Sequence, residues 1–181
     1  IPATRYFISL DKLIYNRNDI RQIQAIADWI DAHCNVGEIS YMIPHDMLYN
    51  PDHFKNCRLP EASINDKLAF GFSVPGTHNF PMQFFEAKYV ITCDPFPQTY
   101  AGSGEMSIKL NERFLAAKDD AFTFEQSFDM GNGTTFTIWR RTAAPTRAEV
   151  EYYLSAFAAE DAQYPEMFSQ VAEAWLTSHG L

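Results

Sequence analysis

The sequence predicts an α/β fold: a Rossmann-like layered sheet, largely parallel, with a β-hairpin near residues 122–140 and helices at the C-terminus. Three observations lead there. A strand, a helix and a second strand follow one another over residues 6–43, the spacing of a right-handed βαβ unit whose strands run parallel. Tyr89 to Cys93 is a short apolar run, bounded by Lys88 and by Asp94-Pro95, which reads as a buried strand stopping at an acid. Gly131-Asn132-Gly133 lies between two alternating apolar runs, the strongest short-range hairpin signal.

The elements follow in order. Tyr6 to Leu10 suits a first strand. Asn18 caps a helix from Asp19 to about His33, with Ile20, Ile23, Ala27 and Ile30 on one stripe and Asp28 and Asp31 turned to water. Asn35-Val36-Gly37 ends it, and Glu38 to Ile43 forms the second strand. Pro44-His45-Asp46 closes that strand, a short helix runs from about Met47 to Cys57, and Leu68 to Val74 reads as a further strand before the loop Pro75 to Asn79. Pro81 to Ala87 fits one or two helical turns leading into Tyr89, with Pro at the permitted first position. Met106 to Lys118 repeats apolar residues at Ile108, Leu110, Phe114 and Leu115 as an amphipathic helix. Phe122 to Met130 and Thr134 to Arg140 are the hairpin strands. Thr146 then caps a helix to about Asp161, with Glu149 placed as in a capping box; Tyr164-Pro165 interrupts it, and Glu166 to Ser178 is the last helix. The expectation is a single α/β domain over 1–181, of which 143–181 is the helical C-terminal section.

At 181 residues the chain can bury a core without metal or disulfide help; 46% hydrophobic and 15% aromatic residues mark an ordered globular protein. A net charge of −9, with Lys and Arg scattered, repels phosphate backbones and sets nucleic acid aside as a partner. The same charge is repelled by an anionic bilayer surface. Cys34, Cys57 and Cys93 fit neither a disulfide framework nor a CxxC metal site, although a Cys34–Cys57 bridge stays open in an oxidising compartment. No apolar run reaches the length of a membrane span, and the first residues lack the charged-then-apolar pattern of a signal peptide. The start at Ile1-Pro2-Ala3-Thr4 reads as a piece excised from a longer protein.

Ligands of open α/β sheets collect beyond the carboxyl ends of the strands. Asp94, Gln98, Thr99, His45, Asp46, His78 and Asn79 each fall just beyond a predicted strand or in a loop opposite one. Together they offer carboxylate, amide, imidazole and hydroxyl groups suited to a sugar or phosphate head group. Turn and cap duty is the simpler explanation of Asp94-Pro95 and His45-Asp46, since Asp favours such positions. No His pair has metal-ligand spacing, Gly102-Ser103-Gly104 lacks the rest of a phosphate loop, and Cys93 and Asp94 alternate to opposite faces, which disfavours a cysteine hydrolase. Asp94-Pro95-Phe96-Pro97 departs from the amino-methyltransferase signature by exchanging its second Pro and aromatic. Neither a cofactor nor a metal is expected.

A resemblance runs through Asp19-Ile20-x-x-Ile23-x-x-Ile26-x-x-Trp29-Ile30, Asn56-Cys57-Arg58-Leu59-Pro60-Glu61, Phe80-Pro81-x-x-Phe84-Phe85-x-Ala87-Lys88-Tyr89-Val90, Asp94-Pro95-x-x-Gln98-Thr99 and the late Thr146-x-x-Glu149 with Tyr164-Pro165. On these residues the chain resembles the soluble C-terminal domain of bacterial multi-spanning C-type glycosyltransferases, relatives of the dolichyl-phosphate-mannose-protein mannosyltransferases. The resemblance implies an N-terminal transmembrane portion that carries the catalytic acid and the lipid-linked sugar donor. It places this domain at the extracytoplasmic face of the cell membrane, where it meets a glycan, an acceptor or an envelope partner. It transfers no catalytic residue to this chain. The competing expectation is a free-standing soluble α/β enzyme or small-molecule-binding domain using the strand end at Asp94.

Overall fold

Five strands form one sheet in the order β2-β1-β3-β5-β4: β1 is Ile39–Tyr41, β2 Leu68–Gly71, β3 Tyr89–Asp94, β4 Phe122–Asp129 and β5 Thr135–Arg141. The computed structural model describes residues 25–26, 28–30, 32–35, 38–41, 68–71, 82–95, 105–130 and 133–181. The strand expected at 6–10, the start of the first helix, the helix at 47–57 and the loops at 75–79 and 96–104 lie outside them.

The sheet is not largely parallel, so the Rossmann-like expectation is overturned. β1 runs parallel to β2 and to β3, but these contacts involve strands of only 3 and 4 residues beside β3. The longer strands form an antiparallel unit: β5 is antiparallel to β3 from Tyr89↔Arg140 to Asp94↔Thr135, and β4 is antiparallel to β5. The reason lies in how the hairpin joins. Its second strand, not its first, docks beside β3, so the chain enters the sheet against the direction that a βαβ crossover would impose. The burial pattern agrees with this. β3 is buried on both faces, like an interior strand, whereas β5 alternates buried and half-buried residues, like an antiparallel strand with one covered face.

Helices cover both faces. On one side lies α1, whose described residues fall within 25–33. It places Ile26 and Ile30, with Cys34 beyond its end, against Ile39, Tyr89, Ile91, Cys93, Phe136 and Ile138. The buried stripe thus includes Ile26, which the sequence reading had left off it. On the other side, Val90 and Phe122 meet α2 (Glu105–Ala117) through Leu110 and Phe114. The same core takes Phe84 and Phe85 from the 3-10 turn Met82–Glu86, Val150 and Tyr153 from α3 (Arg147–Leu154), and Ala172 and Leu176 from α5 (Ser169–His179). Edge-to-face contacts of Phe84 with Phe85, Phe114 and Tyr153 fix the rings at its centre.

The C-terminal section is more broken than expected. α3 passes through the 3-10 turn Ser155–Phe157 into α4 (Ala158–Gln163), and Tyr164-Pro165 leads by another 3-10 turn to α5. Lys109 of α2 donates to Glu160 of α4 at 2.9 Å, and Arg147 grips Glu173 of α5 with both terminal nitrogens. Gly180, at φ 70°, supplies the left-handed residue that lets Leu181 N return to the Leu176 carbonyl.

One residue decides how β4 serves both layers. The register passes from Phe124↔Trp139 to Gln126↔Ile138, leaving Glu125 as the extra residue of a β-bulge. Phe122, before the bulge, packs in the α2 layer; Phe128, after it, packs in the α1 layer. Six positions apart in an unbulged strand, these two would point the same way; the bulge reverses the alternation between them.

Candidate functional site

Of the residues proposed from sequence, the structure describes Asp94; Gln98, Thr99, His45, Asp46, His78 and Asn79 lie outside the described residues. Asp94 is the exposed last residue of β3. Its carboxylate accepts no hydrogen bond and forms no ion pair among the described residues, so it caps none of them. Register places it in one row with Thr135 of β5 and the exposed Asp129 of β4.

The strand end beneath Asp94 is held by a residue that sequence reasoning missed. Asn111 of α2, only 2% exposed, accepts from Cys93 N at 3.0 Å through Oδ1 and donates to the Cys93 carbonyl at 2.8 Å through Nδ2. Described pairing with β1 reaches Ile91. At Cys93 the side-chain amide thus does what a neighbouring backbone would do, and both polar groups of a buried residue are satisfied. The only clue was an Asn on the inner side of an apolar stripe, between Leu110 and Phe114. Nearby, the Trp139 indole donates to Thr92 Oγ1 at 2.8 Å, which gives that buried hydroxyl a partner.

Cys93 itself is unsuited to nucleophilic work. It is a buried free thiol whose pKa is pushed up to about 12, first by burial and then by the neighbouring Asp94 carboxylate. Cys34 is also buried, and Cys57 lies outside the described residues. Among the described residues no group of three or more His, Cys, Asp or Glu side chains could hold a metal ion.

The opposite end of the β3–β5 pair carries a different constellation. A cavity of about 380 Å³ is lined by Phe122, Tyr152, Tyr153, Glu149, Asp120 and Thr146, with five alanines (117, 121, 143, 144 and 148) supplying the room. In its wall Glu149 receives Arg141 bidentately, at 3.1 and 3.0 Å, and the pair is largely buried. The Arg141 guanidinium lies 4.4 Å from the Phe122 ring centroid. Its Nε is buried without a hydrogen-bond partner among the described residues.

The capping box expected at Thr146-x-x-Glu149 is therefore half formed. Thr146 Oγ1 accepts from Glu149 N at 3.1 Å, but the Glu149 carboxylate goes to Arg141 rather than back to the cap. Tyr153, 2% exposed, has its phenol pKa raised well above the ordinary range by burial and secondarily by Glu149, with Arg141 opposing. Tyr152 donates to the Arg113 carbonyl at 3.3 Å, tying α3 to α2. The local capping pattern and the Arg140-Arg141 strand end gave the only sequence hints of this cluster.

Compared with known proteins, the chain matches no family model, no curated protein and no solved structure.

Proposed function

We propose that the chain is a non-catalytic extracytoplasmic domain of a membrane glycosyltransferase that uses a lipid-linked sugar donor, and that it presents the rim at Asp94 to the acceptor or its glycan. The reading rests on the resemblance carried by Phe84 to Thr99 and by the flanking motifs. Within that block Phe84, Phe85, Ala87, Tyr89 and Val90 are core residues, which accounts for them structurally. The observation that carries a recognition role is Asp94: an exposed carboxylate with no partner among the described residues, on a strand end clamped by Asn111. A carboxylate held on a rigid strand accepts hydrogen bonds from sugar or peptide donors without a large ordering cost. Among the described residues no helix is long and apolar enough to cross a membrane, so in this reading the anchor belongs to the N-terminal portion of the parent protein.

The test is made in the parent protein. Asp94→Ala should raise the acceptor KM about tenfold while leaving kcat and donor use unchanged. A membrane-impermeant reagent should modify a cysteine placed at exposed Glu112 in intact cells. A parent gene without upstream hydrophobic spans, or sugar transfer catalysed by the isolated domain, overturns the proposal.

A further inference from the structure

We infer that the cavity between the start of β4 and α3 is a binding site for a compact organic ammonium ion. The inference goes beyond the reading above, because it concerns the end of the sheet remote from Asp94 and holds whatever protein the chain is attached to.

The volume, about 380 Å³, falls in the range of small-molecule sites and suits a ligand of a few heavy atoms to about a dozen. The chemistry of the lining selects among such ligands. Among the described residues its ionisable side chains are Asp120, Glu149, Tyr152 and Tyr153, with no Lys, Arg or His in the lining. Glu149 is matched by Arg141 behind it, so the pair is neutral as a whole. Asp120 has no such match: it forms no ion pair or hydrogen bond among the described residues. The nearby Lys118 is turned instead to Asp119 at 3.2 Å and to the Trp139 ring. The cavity thus carries a net negative charge beside three aromatic rings, an arrangement that attracts cations both through Coulomb forces and through the ring quadrupoles.

Two of those rings already hold cations. The Arg113 guanidinium lies 4.8 Å from the Tyr152 centroid, and Arg141 lies 4.4 Å from that of Phe122. An anion would meet the Asp120 carboxylate with no Lys, Arg or His among the described lining residues. A purely apolar ligand would gain nothing from the Asp120 carboxylate, which is exposed at the edge of the cavity. An ammonium group carried on a small apolar body satisfies both requirements.

Choline and its neutral carbon isostere 3,3-dimethylbutan-1-ol separate charge from shape. In NMR titrations of the 181-residue chain, choline should give saturable shifts at Ala144, Ala148, Tyr152 and Tyr153, and the isostere should bind at least tenfold more weakly. Putrescine tests whether a primary ammonium is accepted as well, and phosphate should produce no shift there. Asp120→Asn should weaken choline binding about fivefold. Ala148→Trp, at an exposed helix position, should abolish it by filling the space; retained dispersion of signals at Phe84 and Ile91 shows that each variant folds.

Equal binding of choline and its isostere would reduce the site to an apolar cleft and overturn the inference. So would the absence of shifts with both cations, or shifts confined to the Asp94 rim. Asp94→Ala leaves the predicted choline shifts in place, so a failure at one end of the sheet is distinguishable from a failure at the other.

Discussion

Asn111 shows how much of this fold depends on a single amide. Replacing it by Ala removes the partners of Cys93 N and of the Cys93 carbonyl in a place that water does not reach. At about 1–3 kcal/mol for each of the two buried groups left unsatisfied, Asn111→Ala should cost about 2–6 kcal/mol. Urea denaturation reads this directly, and a loss below about 0.5 kcal/mol would mean that the strand end is not buried as described. Beyond the place of Asn111 beside Leu110 on the apolar stripe, none of this was legible in the sequence. A polar residue in an amphipathic helix reads as solvent-facing by default, and only the three-dimensional match of an amide to an unpaired strand end gives it another role. Glu149 failed to disclose itself for a related reason. Its spacing from Thr146 satisfies a local rule, and the stronger partner, Arg141, is reached through the fold. Asp94 was more readable, because an acid followed by Pro must stop a strand, and the end of a strand is where exposure begins.

At the scale of elements, the hairpin was written plainly. Gly133 adopts φ 85°, the conformation such a turn requires, and Met130 N closes the loop on the Thr134 carbonyl at 3.0 Å. What the alternation of Phe136 and Ile138 could not say is which strand β5 would join, since periodicity reports the faces of a strand and not its neighbours. The bulge at Glu125 was hidden too: an inserted residue looks like one more position in the pattern until the register is known. Deleting Glu125 makes the pairs Phe124↔Trp139 and Gln126↔Ile138 consecutive, so the strand becomes regular and Phe128 stays opposite Phe136 in the α1 layer. The expected outcome is a melting temperature within about 4 °C of the natural chain, as seen by circular dichroism. A fall of more than about 8 °C would show that the local twist of the bulge is itself needed. Glu125→Gln should likewise be nearly neutral, because its contact with Arg140 is a half-exposed ion pair.

For the whole molecule, the buried Cys93 and Tyr153 make stability depend on alkaline pH. Both ionise less readily in the folded chain than in the unfolded one. Below pH 9.0, the ordinary value of the thiol, both states keep the Cys93 proton and its contribution is fully present. Between 9.0 and about 12 the unfolded chain releases a proton that the folded chain retains, so stability falls with rising pH. The slope is about 1.4 kcal/mol per pH unit for one such group, and Tyr153 adds to it higher in the range. On the acid side Glu38 and Glu160 act in the opposite sense: hydrogen bonds from Asn35 and Lys109 hold their carboxyls below 4.5, and that modest gain is lost as the pH falls beneath it. Urea midpoints at pH 8, 9.5 and 11 should decline for the natural chain and decline less for the Cys93→Ala, Tyr153→Phe double variant. Parallel declines would show that neither group is buried in its neutral form.

β4 closes the described sheet on one side, with Phe124 59% exposed along it. Such a border is an invitation to lateral stacking of hairpins from separate molecules, since its free amides and carbonyls match those of any extended segment. The extra residue at Glu125 interrupts that template midway, so an incoming strand can keep step on one side of the break but not on both. The irregularity that lets one strand serve two cores therefore also guards the molecule against fibre-like self-association.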